Sequence, residues 1–267
     1  MGAGVPFQAG TAVCIVAAME SELRHALAAL DSAEPSTFGP WNVWYGWIDD
    51  VPTLLLLCGV GMVNAASALT AILPAAQPRA VINFGCAGAH SPDLAPGAVV
   101  LGSSVVASAA RTILPDGSER YGGFLFDMNG ERVRLESIEA DPRLLAAATA
   151  VSESIEWQAQ PNGGVPRVSV GTIASGDTWT QHPARIEQLR EELGSLCEEM
   201  EAAALAQVCA IYQTPFLAVK DISNNELIVA TPMGDQWPTL DDVVEHLGET
   251  AFAVVRAMLP RLAGAVS

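Results

Sequence analysis

A three-layer α/β/α sandwich around a central twisted mixed sheet is the fold this chain predicts, on three observations. Short apolar, β-rich runs alternate with longer helical patterns, the sequence form of buried strands joined by helices. Glycines punctuate the run ends at Gly59-Val60-Gly61, Gly85-Cys86-Ala87-Gly88 and Gly176, where a backbone turns sharply or lies close to a ligand. Hydrophobic residues make up 50% of the 267, enough for a large core, and no repeat or low-complexity stretch divides them, so one domain over 1–267 is expected.

The elements follow in order. Ala12-Val13-Cys14-Ile15-Val16 reads as the first strand, followed by a helix from Glu20 to Leu30. Val43 to Ile48 and Thr53 to Cys58 read as strands, and Val63 to Leu73 as the second helix. Further strands are expected at Ala80 to Phe84, Ala98 to Leu101, Val168 to Ala174 and Phe216 to Asp221. Helices are expected at Pro142 to Ile155, Pro183 to Leu193, Met200 to Tyr212 and Leu240 to Leu262. The polar stretch Arg111 to Arg134 has little periodicity and reads as a long loop or hairpin excursion, a type of segment that is often functional. Pro232-Met233-Gly234-Asp235 reads as a lid or a plain loop. In an open α/β sheet, ligands bind outside the carboxyl ends of the strands, where these glycines fall.

Bulk charge narrows the partners. A net charge of -17 with only 13 Lys and Arg argues against a phosphate backbone or an anionic membrane surface, which need clustered cations. Cys14, Cys58, Cys86, Cys197 and Cys209 form an odd set without C-x-x-C spacing, and four of them sit inside apolar runs. Free thiols acting as small hydrophobes fit a reducing cytoplasm. The apolar run Thr11 to Ala18 is broken at once by Glu20 and Glu22, so it reads as neither a secretory leader nor a membrane span. No metal or cofactor is expected.

Five ordered motifs carry the chemistry: Ala17-Ala18-Met19-Glu20-Ser21-Glu22, Asn83-Phe84-Gly85-Cys86-Ala87-Gly88, Ser175-Gly176-Asp177, Glu199-Met200-Glu201 and Ile222-Ser223-Asn224. Together they resemble the motifs of the purine nucleoside phosphorylase and nucleosidase superfamily. The branch they look most like is that of methylthioadenosine/S-adenosylhomocysteine nucleosidase and futalosine hydrolase. The resemblance runs from Val13 to about Asn224. It implies a metal-free enzyme, a homodimer, acting on a purine nucleoside.

Breaking an N-ribosidic bond passes through an oxocarbenium-like sugar. It calls for a hydroxyl clamp, support for the departing base and a nucleophile on the opposite face. By resemblance, Glu201 accepts from the ribose 2′ and 3′ hydroxyls, which suits an acceptor-only carboxylate. Met200 packs its thioether beneath the sugar; Glu199 reads either as a second substrate contact or as an acid facing elsewhere, since adjacent helical residues point in different directions. Read on its own, Glu201 is equally an acid in a helix's first turn, favoured by the macrodipole. Glu22 matches the family's general base on the attacking water; by itself it also reads as a capping acid. Trp179 stands where the family presents an aromatic ring to the purine face, with the backbone near Thr180 and residue Asn224 reading the base. Gly88 lets the backbone approach the ligand, and Cys86, where many relatives carry serine, touches water or sugar weakly or merely packs.

Water is favoured over phosphate as nucleophile, because the Met19 turn offers two carboxylates, Glu20 and Glu22, where a dianion wants glycine amides and an arginine. Arg24, four residues past Glu20, reads as a helical partner for that acid. Asn224 departs from the adenine-specific pattern, which has an aspartate that protonates N7. A carboxamide accepts from N7–H and donates to a carbonyl at position six, so a 6-oxopurine of the futalosine kind is expected, with Asp221 as a substitute acid if the strand bends. Arg111, Arg120, Arg132 and Arg134 read either as partners for a carboxylate at the substrate's 5′ end or as solvated loop charge.

Overall fold

The computed structural model describes residues 6–157, 165–231 and 248–263. Its main sheet has ten strands. Strand β1 (Val13–Ala17) is buried throughout, because it lies parallel between β4 (Val51–Leu57) and β5 (Ala80–Ala89), with Ile15 opposite Leu55 and Ile82. A strand with neighbours on both edges and helices on both faces reads as one continuous apolar run. The antiparallel edge is built by β3 (Trp41–Ile48) and then β2 (Asp31–Phe38), which is largely exposed.

On the other side, β5 pairs antiparallel with β13 (Ser195–Glu199), which pairs parallel with β12 (Val168–Ser175), itself parallel to β6 (Val99–Ala107). Strand β14 (Phe216–Asn224) pairs with both β5 and β6. That closes a five-stranded ring at the end of the sheet, into which the carboxyl ends of β5 and β14 run together. Strand β11 (Ile138–Glu139) caps β6.

Alternation along the strands sends side chains into two cores. Cys14, Val16, Leu54 and Leu56 face α2 (Met62–Ala76) and α5 (Ala202–Tyr212), whose Leu69, Ile72, Ala203 and Leu205 are buried there. Val13, Ile15, Leu55 and Ile82 face α1 (Glu20–Ala29), α3 (Pro142–Ser152) and α6 (Glu249–Ala263), through Leu23, Ala148, Val255 and Leu259. Each fully buried Val, Leu or Ile among them contributes about 1.5–3 kcal/mol. This is the expected three-layer sandwich. Helix α4 (Pro183–Leu193) lies over β13.

Several elements differ from expectation. The helix expected from Met200 begins at Ala202, and the residues before it form β13, a strand whose Glu198 and Glu199 are buried on specific partners. The excursion at 111–134 takes the hairpin form of the two that were expected, as a pair of separate hairpins, β7 (Arg111–Ile113) with β8 (Glu119–Tyr121) and β9 (Phe124–Met128) with β10 (Glu131–Leu135). The last helix is described from Glu249; the expected start at 240–247 and the 232–235 segment lie outside the described residues. Among the described residues no helix is long and apolar enough to cross a membrane.

Candidate active site

Glu22 sits in the first turn of α1 and is 3% exposed, held by three backbone N–H groups. Ala18 and Met19 donate to Oε2 at 3.0 and 3.1 Å, and Cys86 donates to Oε1 at 2.9 Å. The carboxylate therefore caps its own helix and also bridges the ends of β1 and β5, so both readings of this residue describe one geometry. Gly85 makes the approach possible: its φ is +147°, and a Cβ there would run into the Glu22 carboxyl group. The half-buried Cys86 thiol is pushed well above its ordinary pKa, first by burial and then by Glu22. It stays protonated and is no nucleophile.

Glu201, at the N-cap of α5, is buried and accepts from the Gly61 N–H at 2.8 Å. Burial first, and then the neighbouring Glu199, raise its pKa to about 8, with Lys220 opposing. Glu199 is spent on the protein itself. It accepts from Lys220 Nζ at 2.9 Å and from the Glu201 and Ala202 N–H groups at 3.1 and 3.0 Å. Its place is thus behind the site, where it caps α5 and fixes the backbone that carries Glu201. Met200 is half-buried at the bend between β13 and α5.

Lys220, which the sequence reading did not single out, is 1% exposed on β14. Burial disfavours its charge, but Glu199, Glu201 and Glu22 outweigh that and hold its pKa above the usual lysine value. The signal was available, since a lysine following Phe216-Leu217-Ala218-Val219 on a buried strand needs an anionic partner. Asp221, considered as a replacement acid, is turned away. It accepts from the Gly248 N–H at 3.3 Å and the Thr250 hydroxyl at 3.2 Å, and so caps α6. The register of β14 does shift between Ile222 and Asn224, but these contacts hold Asp221 at α6.

The base end gathers around Gly88, which is opposite Glu198 on β13 and Asn224 on β14. Asn224 donates from Nδ2 to Glu226 Oε1 at 2.9 Å, and its Oδ1 accepts from Ser223 at 2.8 Å. Glu226 is buried and also accepts from the Thr231 N–H at 2.8 Å and hydroxyl at 2.5 Å. An acceptor-only carboxylate fixes which end of the amide faces it, leaving one Nδ2 hydrogen and one Oδ1 lone pair for a ligand. Trp179 is half-buried. The Thr180 N–H, expected to read the base, donates instead to Glu198 Oε1 at 2.7 Å.

Asp177 ties this loop to the sugar side by accepting from the Met62 N–H at 2.7 Å, so Gly61 and Met62 bind one carboxylate each from two different loops. A pocket of about 480 Å³ opens beside the Glu22 turn, lined by Ala18, Met19, Ser21, Trp41 and Gly59. Neither Glu201 nor Asn224 lines it, so the hydrogen-bonding groups rather than this pocket define the site. Arg111 pairs with Glu192 of α4 at 2.7 Å, and Arg132 pairs with Asp127 across the β9–β10 hairpin at 3.2 Å. Among the described residues no group of three or more His, Cys, Asp or Glu side chains is arranged to hold a metal ion.

A buried carboxylate in an amide cradle, a second at the mouth of an alanine-rich helix and an oriented amide at a glycine gap are the groups that cleavage of a nucleoside calls for. The chain belongs to the family described as the phosphorylase superfamily, whose pattern matches residues 12–260. It is 31% identical over 246 residues to 5′-methylthioadenosine/S-adenosylhomocysteine nucleosidase of Geobacillus kaustophilus, covering 91% of this chain and 96% of the relative. Among solved structures, S-adenosylhomocysteine nucleosidase from Streptococcus pyogenes in complex with 5-methylthiotubericidin superposes with a TM-score of 0.75 at 26% identity, covering 96% and 98% of the two chains. Futalosine hydrolase of Helicobacter pylori shares the fold, with a TM-score of 0.75 at 21% identity over 94% and 98% of the chains. The chain is a purine nucleosidase of this type, an N-glycosyl hydrolase.

Proposed function

We propose that the chain hydrolyses a purine nucleoside to free base and ribosyl product, with a 6-oxopurine preferred. The observation that supports water as nucleophile is the Glu22 cradle. Three backbone N–H groups hold the carboxylate beside the Cys86 thiol, and among the described residues no arginine or lysine shares those hydrogen bonds. A carboxylate so placed suits a water proton. As the water oxygen bonds to the anomeric carbon, its proton passes to Glu22 and the C–N bond electrons leave with the base. The base takes up a solvent proton at N7, and Glu22 then returns its proton to solvent. Glu201 accepts from the sugar hydroxyls, Met200 lies against the ring and Trp179 stacks on the purine.

The preferred base is argued from Asn224. With Glu226 fixing the amide, its free oxygen lone pair accepts N7–H and its free N–H meets a carbonyl at position six. A second reading, methylthioadenosine/S-adenosylhomocysteine hydrolysis, is favoured by the names of the relatives. Free-base release from inosine-type and adenosine-type nucleosides, compared as kcat/KM, separates the two. Faster release of adenine would displace the 6-oxopurine preference. We also propose a homodimer, supported by the exposed apolar residues Val63, Ile113 and Leu125, to be checked by light scattering.

A further inference from the structure

The base end holds a carboxylate that the mechanism above does not use. Glu198 is 8% exposed on β13. Its Oε1 accepts the Thr180 N–H at 2.7 Å, while Oε2 accepts the Thr180 hydroxyl at 3.1 Å and lies 3.4 Å from His90 Nε2. Both Thr180 contacts are donors aimed at the carboxylate, while His90 Nε2 is buried with no hydrogen-bond partner among the described residues. Each carboxylate oxygen has two lone-pair directions, so Oε1 keeps one open.

Sheet register puts the Glu198 side chain on the face that carries Asn224. Gly88 on β5 is the cross-strand partner of Glu198 on one side and of Asn224 on the other. Cross-strand partners share a face of the sheet, and Gly88 contributes no side chain between them. A Cβ at Gly88 would stand 3.5 Å from the Asn224 amide. Two strand spacings, about 9.5 Å, separate Glu198 from Asn224, a gap that one purine spans with a short side chain reaching it from each side.

The chemistry of the two purine classes then differs at one atom. In a 6-oxopurine N1 carries hydrogen and donates. In a 6-aminopurine N1 is a bare lone pair, which needs a donor and is repelled by a carboxylate. The Thr180 N–H, the backbone donor beside Trp179, is already taken by Glu198. We propose that Glu198 is a specificity-determining residue that accepts N1–H of a 6-oxopurine, while Asn224 reads the N7 and O6 edge. The proposal rests on the purine-nucleoside reading above and adds a residue to it.

Binding of free bases tests it without requiring turnover. Calorimetry of hypoxanthine, 1-methylhypoxanthine and adenine with the unmodified protein should show hypoxanthine bound ~10- to 100-fold tighter than either other base, the range of one charge-assisted hydrogen bond. Glu198→Gln, whose amide can donate to N1 of adenine, should shift the hypoxanthine-to-adenine ratio by ~10-fold or more toward adenine. Equal affinity for hypoxanthine and 1-methylhypoxanthine, no binding of either, or an unmoved ratio in Glu198→Gln overturns the proposal. The methylated base needs no variant, so a poorly folded Glu198→Gln leaves that arm decisive. Release of no base from any nucleoside would instead overturn the hydrolase reading.

Discussion

The Cys86 backbone N–H donates to Glu22 Oε1 at 2.9 Å, joining two chain segments 64 residues apart through one carboxylate. That contact exists because Gly85, with φ at +147°, brings β5 against the turn after β1 with no Cβ in the way. Gly85→Ala should therefore displace Glu22 as well as strain the backbone. Glu22→Gln, which removes the base but little volume, should lower kcat by ~100- to 10,000-fold, and Gly85→Ala should lower kcat by ~100-fold or more. Steady-state kinetics with a circular-dichroism check of folding reads both. A Glu22→Gln variant of normal kcat contradicts the assignment.

The Lys220–Glu199 pair should be a stability determinant as well as a scaffold for Glu201. Lys220→Met strands Glu199 beside Glu201 in the interior, at a cost of about 3–5 kcal/mol. Urea unfolding should show it, and the double variant Lys220→Met with Glu199→Gln should recover part of the loss. If the single variant unfolds at the same urea concentration as the parent, the pair contributes nothing.

Acidic groups whose folded pKa is raised bind protons more tightly in the native state. Glu201 is raised from 4.5 to about 8 and Asp221 from 3.8 to about 7, both chiefly by burial. Their stabilising contribution is full below the unfolded values and is lost as pH rises through about 7 and about 8. Activity should run the other way, because Glu201 clamps two hydroxyls only when ionised. A plot of kcat/KM against pH should rise with a midpoint near about 8, and Glu201→Gln should lack that limb. A flat profile through this range rules out Glu201 as the titrating clamp.

Glu226 holds the amide of Asn224, so Glu226→Gln should let that amide take either orientation. The expected result is a ~10-fold narrowing of discrimination between 6-oxo and 6-amino substrates, with less effect on the better of the two. Asn224→Asp should raise adenosine-type activity by restoring an acid at N7. Kinetics on matched nucleoside pairs checks both, and unchanged ratios would remove the amide from base recognition.

The core was legible where the pattern was continuous. Val13–Ala17 and Phe216–Val219 announced strands buried on both faces, and the glycines after Leu57 and Phe84 marked the ends that carry the site. Strand β13 was not legible, because Glu198 and Glu199 break its apolar run and their partners, Thr180 and Lys220, are distant in sequence. The same distance hid the division of labour in Glu199-Met200-Glu201, where only the fold shows that Glu199 faces Lys220 while Glu201 faces Gly61. Strand β2 was missed for a different reason. As an exposed edge strand it has no apolar face to conserve a period of two.

The most direct test of the account is base release from a purine nucleoside panel, followed chromatographically with and without inorganic phosphate. The account predicts free base and a reducing ribosyl product at the same rate in both conditions, with 6-oxopurine nucleosides cleaved fastest. Cleavage that requires phosphate and yields a sugar phosphate would contradict it.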